Sequence, residues 1–157
     1  MKILFLGDIV GPSGCMVVKK HLKKIVEENK INFVIANGEN AAHNGVGITK
    51  DVLEYLIKFG VNVLTTGNHV WDHKETLKLV EDDNRLLRPF NLIGVSPGKG
   101  FEIYQTSKNL KIGVLNLMGN VFMRKSEDVF KTAENFQKKY QLKKDYDFLV
   151  VDLHCET

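Results

Sequence analysis

The sequence predicts an α/β fold in a single domain, and three observations carry that expectation. Short apolar runs alternate with stretches whose apolar residues recur at helical spacing. The apolar runs are continuous, as in a parallel sheet covered on both faces. Each run also closes on glycine and polar residues, the texture of loops at the carboxyl ends of parallel strands. With 157 residues, 43% hydrophobic and 26% charged, 13 Gly and 3 Pro, the chain can bury a core. It is no disordered tail, collagen-like repeat or disulfide-stapled mini-protein.

The elements follow in order. Residues 2–6 (KILFL) form the first apolar run. Val18, Leu22 and Ile25 mark a helix over about 14–29, and 33–36 (FVIA) is the second strand. Thr49 is a fair N-cap for a helix carrying Val52, Leu53, Leu56 and Ile57, which Gly60 stops. Residues 61–65 (VNVLT) form the third strand, and Asp72 with Glu75 resembles a capping box for the next helix. Residues 91–95, 101–105 and 111–117 read as strands, the last two joined by a turn at Thr106-Ser107-Lys108-Asn109. Ser126 is expected to cap a helix with Val129, Ala133, Phe136 and Tyr140 on one stripe, and 147–152 (DFLVVD) is the final strand.

The formal charge of +3 arises from 22 basic and 19 acidic residues. The basic clusters at 19–24 and at 138–144 read as solvated helix faces, so no stable nucleic-acid binding is expected. No apolar run is long enough to span a membrane, and the N-terminus does not read as a secretory signal. Two cysteines, Cys15 and Cys155, suggest a reducing compartment, and the expected location is the cytoplasm. Cys155 reads as a small packing residue.

The strand ends carry the chemistry. They hold Gly7-Asp8, Asn37-Gly38-Glu39-Asn40, Gly67-Asn68-His69 and Asp152-Leu153-His154. An open α/β sheet gathers such loops into one crevice. Carboxylate, amide and imidazole donors suit Mn, Fe, Zn or Mg, and a carboxylate can bridge two ions about 3.5–4 Å apart that activate a water for attack at phosphorus. A histidine just beyond the ligands can protonate the leaving oxygen. Any one such Asp or Asn could merely cap a helix or turn; four strand ends together favour a site. A nucleotide-binding module at Gly7, Gly11 and Gly14 is the weaker alternative, because neither the dinucleotide nor the P-loop spacing is met.

MKILFLGDIVG, NGENAAHNGVGIT, TTGNHVWD, the RP…PGKG stretch and VDLHCET together resemble the YmdB-type metallophosphoesterases, a branch of the calcineurin-like phosphoesterase superfamily. The resemblance runs the length of the chain. It implies a β-sandwich flanked by helices, with the second sheet incomplete here, and a two-metal hydrolase of 2′,3′-cyclic or 3′,5′-cyclic nucleotides. It implies that Asp8 and Asn40 bind one ion, Glu39 bridges, Asn68 and His154 bind the second, and His69 is the acid. Val10 stands where the wider superfamily often has a histidine ligand. His43, in the loop after Glu39-Asn40, is a candidate substrate contact. His73 reads as helix-capping, Trp71 as a packing anchor and Lys99 as a candidate phosphate contact.

The family pattern continues into a Gly-x-His-x-His stretch that supplies one more histidine to each ion, and no such stretch occurs in this sequence. Residues 1–157 are therefore expected to form the N-terminal part of a metallophosphoesterase domain. The expected consequences are weakened metal binding and a core face left open to self-association. The product alone is expected to be catalytically weak, with a regulatory or interaction role as the alternative, unless a partner chain or a longer chain supplies the rest.

Overall fold

The computed structural model describes residues 1–106 and 108–156, so Ser107 of the expected turn lies outside the described residues. Four strands, β1 (Ile3–Leu6), β2 (Phe33–Asn37), β3 (Val63–Thr65) and β4 (Leu86–Leu87), form a wholly parallel sheet in the order β1-β2-β3-β4. Helices α1 (Gly11–Asn29), α2 (Lys50–Lys58) and α3 (Thr76–Asp82) connect them. Val18 and Leu22 of α1, Val52, Leu53 and Leu56 of α2, and Val34, Ala36 and Leu64 of the sheet share one buried cluster. Trp71 packs against it, as a packing anchor should.

A second sheet contains β5 (Phe101–Gln105), β6 (Lys111–Met118) and β7 (Phe148–His154), with α4 (Val129–Lys139) between β6 and β7. β5 runs antiparallel and β7 parallel to β6. Phe33, Ile35, Val63 and Leu87 of the first sheet meet Ile112 and Val114 of the second in a common buried cluster. The parallel sheet is thus covered on both faces, which is why β2 is apolar from Phe33 to Ala36. On the far side of the second sheet the α4 stripe Val129, Ala133, Phe136 and Tyr140 packs with Phe101, Leu115, Leu117 and Tyr146. Among the described residues no helix is long and apolar enough to cross a membrane.

Several expectations need correction. α1 starts at Gly11 rather than near 14, because Pro12 sits in its first turn, where a missing N–H costs nothing. Residues 91–95 are not a strand: Leu92 makes only an isolated bridge to Ser126, and the Asn91 side chain bonds the backbone of Met118 and Glu127. The sheet gains instead the two-residue β4, too short to show a period. Asp128, not Ser126, caps α4, accepting from the Lys131 N–H at 2.8 Å. Ser126 is taken by Asn120. β7 runs on to His154, and Cys155 is exposed rather than packed inside.

Candidate active site

Asp8, Glu39, Asn40 and Asn68 follow β1, β2 and β3 at their carboxyl ends, and His154 closes β7. Asn40 Nδ2 donates to Asp8 Oδ2 at 2.8 Å, and the Val10–Asn40 bridge with the Gly11 N–H to Asn40 carbonyl bond ties the two loops together. His154 Nε2 lies 2.8 Å from Glu39 Oε1 and 3.1 Å from Asn68 Oδ1. Two sheets therefore bring an imidazole, a carboxylate and an amide oxygen to one point.

Glu39 is 3% exposed, and its Oε2 has no hydrogen-bond partner among the described residues. A buried carboxylate oxygen without a donor is costly unless something else binds it. Gly67 explains how the carboxylate fits: a Cβ there would stand 1.9 Å from Glu39 Oε2 and 2.3 Å from the His154 ring. Burial of His154 acts to lower its pKa, but the hydrogen bond and charge of Glu39, with the charges of Asp152 and Asp8, outweigh it and hold the imidazole above its usual range. Asp8 is thus close enough to contribute its charge to the same centre.

Asp152, grouped by sequence with the strand-end donors, serves instead as a tie between the sheets. It is the one buried residue of β7, and its Oδ2 accepts from Asn37 Nδ2 at 2.8 Å and from the Thr65 hydroxyl. Those donors stand on the last residues of β2 and β3, so Asp152 locks the second sheet to the first two residues before His154. Asn116 of β6 adds a second tie, its Oδ1 accepting from the Thr66 N–H.

Asp72 does not start a capping box. α3 begins at Thr76, and Asp72 instead accepts from His69 Nδ1 at 2.7 Å and from Arg124 Nη2 at 2.7 Å. Partial desolvation works against ionisation of Asp72, but His69 and Arg124 together hold its carboxyl below the usual range. An ionised Asp72 accepts the hydrogen bond of Nδ1–H and leaves Nε2 of His69 as the available nitrogen. His73 is not a cap either; it donates from Nε2 to the Val46 carbonyl at 2.8 Å and orders the glycine loop 45–47. Lys99 is paired with Glu102.

His43 stands apart from this cluster. Its exposed ring pairs with Asp51 at 3.1 Å and rims a cavity of about 170 Å³ with Pro12, Cys15, Met16 and Tyr55. Among the described residues no group of three His, Cys, Asp or Glu side chains makes a metal cage by itself. The groups that meet here include the amides of Asn40 and Asn68. The orphaned Glu39 oxygen, the imidazole facing two oxygens and the tight cradle at Gly67 fit a divalent cation.

Comparison with known proteins identifies the family. The chain is 38% identical over 157 residues to a 2′,3′-cyclic-nucleotide 2′-phosphodiesterase of Bacillus subtilis strain 168, covering all of this chain and 58% of that protein. A crystal structure of a phosphatase from Mycoplasma pneumoniae matches with a TM-score of 0.89 at 34% identity, over 100% of this chain and 56% of that one. A Thermus thermophilus protein called hypothetical matches with a TM-score of 0.89 at 32% identity, over 100% and 59%. The chain thus spans a little over half the length of these relatives. The model of the YmdB-like protein family matches residues 4–157, and the chain belongs to that family.

Proposed function

We propose that this chain builds the first part of the active site of a metal-dependent phosphodiesterase that hydrolyses cyclic nucleotides, 2′,3′-cyclic or 3′,5′-cyclic. The observation that carries the reading is the buried Glu39 carboxylate with one oxygen unpartnered and the other facing His154. The Bacillus relative's name supplies the substrate class. In this reading the two sheets are the sandwich of a calcineurin-like phosphoesterase. The two further imidazoles that the resemblance implies belong to the part of the relatives' length outside the match.

Asp8 and Asn40 would hold one cation and Asn68 and His154 the other, with the Glu39 carboxylate available to both. When bound, two divalent ions supply charge neutralisation at the phosphoryl oxygens and a low-pKa water. The chain's own residues do the remainder. Asp152 keeps His154 in register with Glu39. His69 delivers a proton from Nε2 to the leaving ribose oxygen, while Asp72 holds Nδ1 and fixes the orientation of the ring. Asp72 is in this sense a positioning residue. His43 contacts the substrate away from the ions.

Hydrolysis of 2′,3′-cyclic AMP by the Mn²⁺-loaded full chain tests the reading, with Glu39→Gln as control. Weak activity is expected in the wild type, as suits a partial site, and none above background in the variant. Equal activity in the two proteins overturns it.

A further inference from the structure

Of the loop between β6 and α4, residues 119–128, the site described above uses only Arg124. The loop leaves the sheet beside the site: the Gly119 N–H donates to the His154 carbonyl at 2.9 Å. It is then clamped to the opposite side, because Arg124 Nη2 donates to Asp72 Oδ1 at 2.7 Å and Asp72 holds His69. Its base is closed by Asn120, whose Nδ2 donates to Ser126 and Glu127 and whose Oδ1 accepts from the Val129 N–H. This is a compact loop with joined ends, of the kind that positions functional side chains.

Between the two clamps stands Phe122, 89% exposed, on a backbone of φ 56°. A bulky residue in the left-handed region is strained, and an aromatic ring in open solvent recovers nothing for that strain inside the folded chain. Phe122 is three residues from Gly119 and two from Arg124, so its backbone is within about 10 Å of both clamps. The base of a nucleotide lies one sugar ring from its phosphate, a reach of the same order.

We infer that Phe122 is the stacking platform for the substrate's nucleobase, presented by loop 119–128 at the rim between His154 and His69. The inference rests on the nucleotide phosphodiesterase reading and adds to it the subsite for the base. Stacking on an aromatic ring is tolerant of base identity, because every base offers a π-face. The loop therefore selects for a nucleotide over a simple phosphodiester rather than for one base.

Binding separates this from a merely structural loop. Adenosine 3′-phosphate and ribose 5-phosphate are titrated by calorimetry into the Mn²⁺-loaded full chain and its Phe122→Ala and Phe122→Tyr variants. Phe122→Ala is expected to weaken adenosine 3′-phosphate about tenfold and to leave ribose 5-phosphate within about twofold, with Phe122→Tyr restoring the nucleotide. Unchanged nucleotide binding in Phe122→Ala, or an equal loss of both ligands, overturns the stacking role alone. Failure of the wild type to bind either ligand overturns the phosphodiesterase reading, and the base subsite with it.

Discussion

β2 and β7 both deliver site residues, yet they are held in opposite ways. All five residues of β2 are buried, and its apolar side chains pack between helices on one side and the second sheet on the other. In β7 the only buried residue is a carboxylate, Asp152, while Phe148, Val151 and Leu153 are exposed. Glu39 therefore stands on a strand fixed by the hydrophobic effect, and His154 on one fixed by its ladder to β6 and by a polar lock. Water-avoidance is tolerant of geometry; a buried carboxylate shared by two donors is not. The His154 side of the candidate site, which the proposed reading gives to a cation, depends on the more specific lock.

The largest effects test that contrast. Ile35→Ala empties a fully buried site on β2 and is expected to cost about 3–4 kcal/mol. Asp152→Ala leaves Asn37 with a buried unpaired donor and Thr65 with only its longer contact to the Ala36 carbonyl, and is expected to cost about 2–3 kcal/mol. Denaturant melts check both. The two variants part company in Mn²⁺ affinity, expected to stay within about twofold for folded Ile35→Ala and to fall at least about tenfold for Asp152→Ala. Equal Mn²⁺ affinity in the two would break the contrast.

Asp72 sits where the regions meet, since His69 follows the first sheet and Arg124 leaves the second. Asp72→Asn is expected to lower kcat by about tenfold to a hundredfold with KM nearly unchanged. A purely structural Asp72 would alter stability and leave kcat of the folded protein in place.

A smaller effect concerns the α3–β4 junction, which fixes the edge of the first sheet. Arg85, hydrogen-bonded to Asp83, holds the Asp83 carboxyl below its usual range despite partial burial. A depressed carboxylate stabilises the fold above its unfolded pKa, near 3.9, and that contribution fades as pH falls through the lower folded value. Asp83→Asn is accordingly expected to cost about 0.5–1 kcal/mol at pH 7 and nothing near pH 2, measured by urea melts across pH. Least of all, Val151→Thr on the exposed face of β7 is expected to change stability by under about 0.5 kcal/mol.

The strand ends were legible because Gly-Asp, Gly-Glu-Asn and Gly-Asn-His break continuous apolar runs. The orienting groups were not. Asp72 with Glu75 satisfies a helix-start pattern as well as it satisfies His69, and only the fold decides between them. Ser126 and Asp128 are both good caps two residues apart, and the choice turns on Asn120 reaching Ser126 first. Asp152 resembles one more strand-end donor until Asn37 and Thr65 are seen to claim it. Leu86-Leu87 pairs as a strand only because β3 is beside it. Local pattern located the donors; tertiary contacts assign the groups that hold them.

Cation binding at Glu39 is the claim on which the account turns, and a Mn²⁺ titration followed by thermal melting tests it directly. Glu39→Gln removes the charge that a cation would neutralise and keeps a side chain of the same size, so each protein's melting temperature without metal is its own reference. Mn²⁺ is expected to raise the melting temperature of the wild type and to leave that of Glu39→Gln unmoved. Equal shifts in the two proteins, or none in the wild type, would contradict the account.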